Sequence, residues 1–213
     1  MKKYLLIIAL FISSFGVAQD VHFSQIQESP LWLNPANAGF MDGYFRAVAN
    51  YRNQWMAMGN AYQTMAISVD ASLLKTKKNK AYLGLGLFVF NDRAGVAKMG
   101  TTQGQIHINA IIKTSKKSKL GGAVYIGFNQ NSANYASLTY ANQYNGKEID
   151  NTLGSGEAVT YGSFVNTDVG AGLNYEFSSA NIDMLRDDIF SLKIGAAAHH
   201  LNQPVQKFAS GST

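Results

Sequence analysis

The sequence predicts an all-β protein of the transmembrane, antiparallel up-and-down β-barrel type, here an incomplete arc of about 7–9 strands. Three observations carry this expectation: strict two-residue alternation in segments of about ten residues, a polar face of small uncharged side chains, and little charge overall. Of the 213 residues only 15% are Asp, Glu, Lys or Arg, while Gly counts 20 and aromatics 12%. A soluble domain carries about 25% charged residues. Something other than a charged surface meets the surroundings.

The alternation is sharpest at Gln63 to Leu73, where Met65, Ile67, Val69, Ala71 and Leu73 interleave with Thr64, Ala66, Ser68, Asp70 and Ser72. Ala81 to Phe90 and Thr102 to Ile112 repeat the pattern, and Asp168 to Phe177 sets Val169, Ala171, Leu173, Tyr175 and Phe177 against Asp168, Gly170, Gly172, Asn174 and Glu176. Tyr44 to Arg52, Leu120 to Asn129 and Ile189 to His200 are less regular segments of the same kind. Each is close to the length of about 9–11 residues that a tilted strand needs to cross hydrocarbon. A soluble sandwich would carry Lys, Glu and Thr on its solvent face, whereas Gly, Ser, Asn, Gln and His suit a lumen.

The connections near residues 74–80, 113–119 and 178–188 are short, and that from about 130 to 167 is long. Short periplasmic turns and long outer loops are the rule in such barrels, so the even-numbered connections are expected to face the periplasm. Two of them hold lysine clusters, Lys75, Lys77, Lys78 and Lys80 in one, and Lys113, Lys116, Lys117 and Lys119 in the other. These lysines either keep the hairpin ends wet beside lipid headgroups or form a docking surface for an acidic periplasmic partner.

Residues 1–18 read as a secretory signal: Lys2 and Lys3, then an apolar run from Tyr4 to Phe15, then Gly16-Val17-Ala18 with cleavage expected near Ala18. Cleavage takes two of the 18 basic residues and leaves 13 acidic ones, a net charge of +3 that gives no argument for nucleic acid. Residues 19–42 have no clean period and are expected to form a periplasmic or plug-like segment, with residues 43–213 as the incomplete barrel. There is no Cys.

Three motifs stand in order along the chain. The first is Asp20 and His22-Phe23-Ser24-Gln25, followed by Pro30-Leu31 and Leu33-Asn34-Pro35-Ala36 with Ala38-Gly39. The second is Tyr51-Arg52-Asn53-Gln54-Trp55, after the first strand, and the third is Asn91-Asp92-Arg93-Ala94-Gly95, after the third. With these motifs the chain resembles the PorP/SprF family of type IX secretion system membrane proteins, over essentially everything after the signal. The resemblance implies an outer-membrane barrel of the secretion and gliding apparatus found in Bacteroidota. Its implied partners are outer-membrane lipids, periplasmic secretion components and a large adhesin-like cargo that it helps to export or hold at the surface. Family members run about half as long again, which implies a chain truncated at its C-terminus.

A physical reading stands beside the family one. Trp55, Tyr51 and Tyr62 fit an aromatic girdle at the membrane interface, and Asp92 and Arg93, placed in a turn, are expected to brace the barrel against Arg46 or Asp70. An extra hairpin is expected within Tyr135–Ala141 and Ala158–Val165.

Catalysis is not expected, and neither is a cofactor or metal. His22, His107, His199 and His200 are scattered, and adjacent His199 and His200 are expected on opposite faces of a strand. Ser68 and His107 both face the polar side, but no nucleophile elbow or phosphate loop accompanies them. The alternative function is a porin or small-solute channel.

Overall fold

The computed structural model describes residues 28–58, 62–76, 78–95, 97–132, 138–150, 152–154, 156, 163–179 and 190–204. Seven strands follow one another: β1 (Phe45–Gln54), β2 (Tyr62–Leu73), β3 (Ala81–Ala94), β4 (Met99–Ser115), β5 (Ser118–Ser132), β6 (Phe164–Ser178) and β7 (Ser191–Ala198). All pair antiparallel in sequence order, β1-β2-β3-β4-β5-β6-β7. The fold is an incomplete up-and-down β-barrel, a curled half-barrel. Among the described residues no helix is long and apolar enough to cross a membrane.

Alternation decides the two faces. Leu83, Leu85, Leu87 and Val89 on β3, Ile106 and Ile108 on β4 and Val124 and Ile126 on β5 are exposed on the outer face. Their register partners stay on that face, as in Leu85 with Ile108 and Ile108 with Val124. This continuous apolar surface suits hydrocarbon, and a water-facing sheet would not sustain it. The opposite face holds Ser68, Asp70, Gln105, His107, Asn109, Asp168, Asn174 and Glu176, all buried.

That inner face is not wholly polar, since Tyr82, Phe88, Phe90, Ile111 and Tyr125 lie on it and are buried. Residues 28–42 explain this. They fold into α1 (Pro30–Leu33) and one turn of 3-10 helix at Pro35–Asn37, and pack on the inner side. Leu31 joins Phe88, Phe90, Ala38 and Ala66 in one buried cluster, with Trp32 against it. Phe40 joins Tyr82 and Ile111 in a second.

The curl follows from the reach of this segment. Seven strands laid flat would span roughly 30 Å at about 4.8 Å per strand. Yet the segment between Ser29 and Phe40 touches inner-face atoms of every strand, from Arg46 on β1 to Ala196 on β7. A short, helically coiled segment spans that breadth only if the sheet wraps around it.

Strand ends differ from the sequence expectation. β3 runs four residues past Phe90, so Asn91 to Ala94 are strand rather than turn, and Tyr51 to Gln54 are the last residues of β1. β4 and β5 extend to Met99 and Ser132. Polar residues read as turn signals are strand residues here because β2 and β5 supply ladder partners beyond the apolar band, such as Asp92 with Thr64 and Gly100 with Ser132. The connections after β1 and β3, 55–61 and 95–98, are as short as those after β2 and β4, so the length asymmetry rests on the 133–163 connection alone. The expected extra hairpin lies mostly outside the described residues. Of its parts, Ala141–Gln143 is a 3-10 turn and Phe164 and Val165 open β6.

Depth along the outer face sets a measurable cost. Ile108→Arg, in the middle of β4, lowers unfolding free energy in phospholipid vesicles by about 2–4 kcal/mol, while Gln130→Arg near the end of β5 changes it by about 0–1 kcal/mol. Denaturant titration of the vesicle-inserted chain measures both.

Candidate functional site: the inner segment and the face it fills

The motif residues from Asn34 to Gly39 form the centre of the inner segment, and each has a structural task. Asn34 caps the 3-10 turn, its Oδ1 accepting from the Ala36 amide at 2.8 Å. Its Nδ2 donates to the Leu173 carbonyl at 3.0 Å and the Ala196 carbonyl at 3.3 Å, which ties the segment to both β6 and β7. Pro35 opens the turn, where a missing amide costs nothing. Ala36 and Ala38 are fully buried, small enough for their carbonyls to reach Asn109 Nδ2 on β4 at 2.7 and 2.9 Å.

Gly39 adopts φ +63°, and a Cβ there would lie 2.6 Å from Gly84 Cα. A Cβ on Gly84 would in turn overlap the Ala38 carbonyl. The two glycines let the segment's backbone lie directly on that of β3.

Asp70 is the electrostatic centre. Arg46 donates from Nε and Nη2 to its two oxygens, each at 2.9 Å, and the Gly39 amide donates to Oδ2 at 2.8 Å. Arg46 Nη2 also donates to the Asn37 carbonyl at 2.9 Å. The planar guanidinium thereby links β1, β2 and the inner segment in one bidentate pair. Asp92 does not join it; it accepts from Thr64 Oγ1 at 2.6 Å, inside the β2–β3 ladder, which corrects the expected brace to Arg46 or Asp70.

The lysines separate into two kinds. Lys119 points inward and is 1% exposed, 3.1 Å from Glu176 and 3.5 Å from Asp42, with its ammonium over the Phe40 ring at 4.7 Å. It is an internal cation, off the rim on which a docking surface would lie. Lys75 donates to the carbonyls of Met41, Asp42 and Gly43 at 2.6, 2.8 and 3.2 Å, closing off the segment's exit. Lys78, Lys80, Lys116 and Lys117 are exposed, Lys113 is half-buried near the same end, and Lys77 lies outside the described residues.

At mid-height on the inner face, Tyr125 donates to Asp168 at 3.0 Å, with His199 Nδ1 3.3 Å from the same hydroxyl. His200 Nδ1 sits 2.9 Å from the other Asp168 oxygen. β7 ends at Ala198 and His200 takes φ +55°, so both imidazoles turn to the same side, against the expectation of opposite faces. Among the described residues no group of three metal-ligating side chains stands together. Ser68 on β2 and His107 on β4 have β3 between them, and both ring nitrogens of His107 lack a hydrogen-bond partner.

Trp55, at φ +57°, meets Tyr62 edge-on at 5.2 Å, and both are exposed with Tyr51 at the β1–β2 end, the placement a girdle needs. The motif residues His22, Phe23, Ser24 and Gln25 lie outside the described residues.

Taken together, a curled antiparallel sheet with an apolar outer face and a chain segment bonded across its inner face defines a membrane β-barrel protein with internal filling. The type IX secretion system membrane protein PorP/SprF family model matches residues 16–212, and the chain belongs to that family. No curated protein and no solved structure matches the chain.

Breaking the central ion pair is the direct test of the inner segment's hold. Asp70→Ala leaves Arg46 unpaired and costs about 3–5 kcal/mol in denaturant unfolding; adding Arg46→Ala recovers part of the loss. Gly84→Val, by pushing Ala38 and Gly39 off β3, is expected to expose Trp32 and Phe40 to chymotrypsin at concentrations that leave the unsubstituted protein intact.

Proposed function

We propose that this protein is an outer-membrane component of the type IX secretion or gliding machinery that assists export or surface anchoring of a large adhesin-like cargo. Family membership supplies the secretion context. The observation that favours an interaction role over free solute passage is the filling of the inner face: residues 29–42 hydrogen-bond to groups on β1, β2, β4, β6 and β7, pair with Lys119 on β5 and pack on Phe88 and Phe90 of β3. The paired charges on that face, Arg46 with Asp70 and Lys119 with Glu176, also hold this segment, through the Asn37 carbonyl and Asp42. A porin needs its lumenal charges facing water.

In this reading residues 1–18 are the export signal and residues 19–42 a plug, with the 74–80 and 116–117 connections in the periplasm. Lys78, Lys80, Lys116 and Lys117 then form a cationic rim offered to an acidic periplasmic secretion component. Lys113 belongs to the same rim, while Lys75 and Lys119 serve the plug.

Loss of the gene is expected to remove one large protein from the cell surface, read by surface proteolysis and mass spectrometry; an unchanged surface proteome sinks the reading. In planar bilayers the purified protein is expected to give little conductance, and the variant lacking residues 29–40 substantially more. High conductance from the intact chain would favour the channel alternative. The quadruple Lys78→Ser, Lys80→Ser, Lys116→Ser, Lys117→Ser variant should insert normally yet lose its co-purifying periplasmic partner.

A further inference from the structure

The connection between β5 and β6, at the end of the sheet opposite the lysine turns, carries an Asn-Gly pair in a tight reversal. Tyr144 and Ile149 form an antiparallel bridge, and the Asn145 amide donates to the Glu148 carbonyl at 3.1 Å, so residues 145–148 make the turn between them. Gly146 sits at the first corner with φ +93°, a conformation that glycine takes without strain. Asn145 and Gly146 are both exposed. Asn145 Oδ1 accepts from the Lys147 amide at 3.0 Å and from the Glu148 amide at 2.9 Å. Among the described residues, nothing hydrogen-bonds to Asn145 Nδ2 or to the Gly146 amide, and a Cβ at 146 would meet nothing within 4 Å. The side-chain carbonyl is therefore held and polarised, while the amino group and the next backbone nitrogen stand open to water.

We propose that Asn145–Gly146 is a site of spontaneous deamidation, at which this loop converts its own asparagine to aspartate and isoaspartate with water as the only co-reactant. Hydroxide takes the proton from the Gly146 amide, and that nitrogen attacks Asn145 Cγ, closing a five-membered ring. The carbonyl electron pair moves onto Oδ1, where the Lys147 and Glu148 amides receive the charge as an oxyanion hole does. The pair then re-forms the carbonyl and the Cγ–Nδ2 bond breaks. Nδ2 leaves as ammonia with a proton from water, which restores the hydroxide. Water opens the ring at either carbonyl, giving a carboxylate at 145 on an ordinary or a lengthened main chain. Each event adds a negative charge beside Glu148, and the isoaspartyl product inserts an extra backbone atom into the turn that closes the Tyr144–Ile149 bridge. The inference stands independently of the secretion reading.

Asn142 provides an internal comparison. It is exposed in the same connection, but the amide that follows it, that of Gln143, carries a side chain and donates to the Tyr140 carbonyl at 3.0 Å. That nitrogen is hindered and occupied, so the ring closes more slowly there.

Ageing of the full chain in phospholipid vesicles, in neutral buffer and with sampling by peptide mass spectrometry, tests this. The mass gain of an amide-to-acid change is expected at 145 at least tenfold faster than at 142, and no slower than at the same bond in a free peptide of residues 140–153. Equal rates at 142 and 145, or a folded-state rate below that of the peptide, overturn the proposal. Both aspartate and isoaspartate are expected at 145; aspartate alone would mean direct hydrolysis without the ring, and overturns it too. Asn145→Gln, whose longer side chain closes a five-membered ring no more, should lower the rate at 145 at least tenfold with strand content by circular dichroism unchanged, and an undiminished rate counts against the ring.

Discussion

A chain segment laid inside a barrel brings its own amides and carbonyls into a space where water is scarce, and the sheet around it must supply their partners. Here the supply begins at Asp70. Its carboxylate fixes Arg46 and the Gly39 amide together, and Arg46 then takes the Asn37 carbonyl. Asn109 takes the carbonyls of Ala36 and Ala38, Ser72 that of Gly39, and Lys75 those of Met41 and Asp42. Much of the polar inventory of the inner face is therefore explained by the segment it holds.

The same constraint governs shape. Asn34 reaches β6 and β7 while Arg46 reaches back from β1, so the two ends of the sheet are tied to one short piece of chain. Curvature that sheet twist alone would leave variable is set by those ties. The buried aromatics follow from it too: Phe88 and Phe90 sit on a nominally lumenal face because Leu31 and Trp32 cover them. A face over which a chain segment is packed and hydrogen-bonded differs from a water-filled channel wall.

Strand existence and facing were readable because a period of two is forced by the pleat, and one apolar face then has to meet hydrocarbon. Strand ends were not, because Asn91, Asp92 and Asn131 are turn formers by local preference and strand residues only through their neighbours' ladders. Lys119 had a readable signal: it shares parity with Gly121, Ala123 and Tyr125, which places it inward, but its membership of a lysine run masked this. His200 had none, since a left-handed φ at a non-glycine residue breaks the alternation without a sequence mark.

By itself the sequence determined the class of fold, the two faces of β2, β3, β4 and β6 and the family, because these depend on local periodicity and on motifs contiguous in the chain. The tertiary structure alone decided that Asn34, Asn37 and Gly39 are fasteners and that Asp70 pairs with Arg46. Those facts depend on which strands lie side by side and on what the curl encloses. Contacts between residues more than a hundred positions apart, such as Asn34 with Leu173, leave no trace in any local pattern.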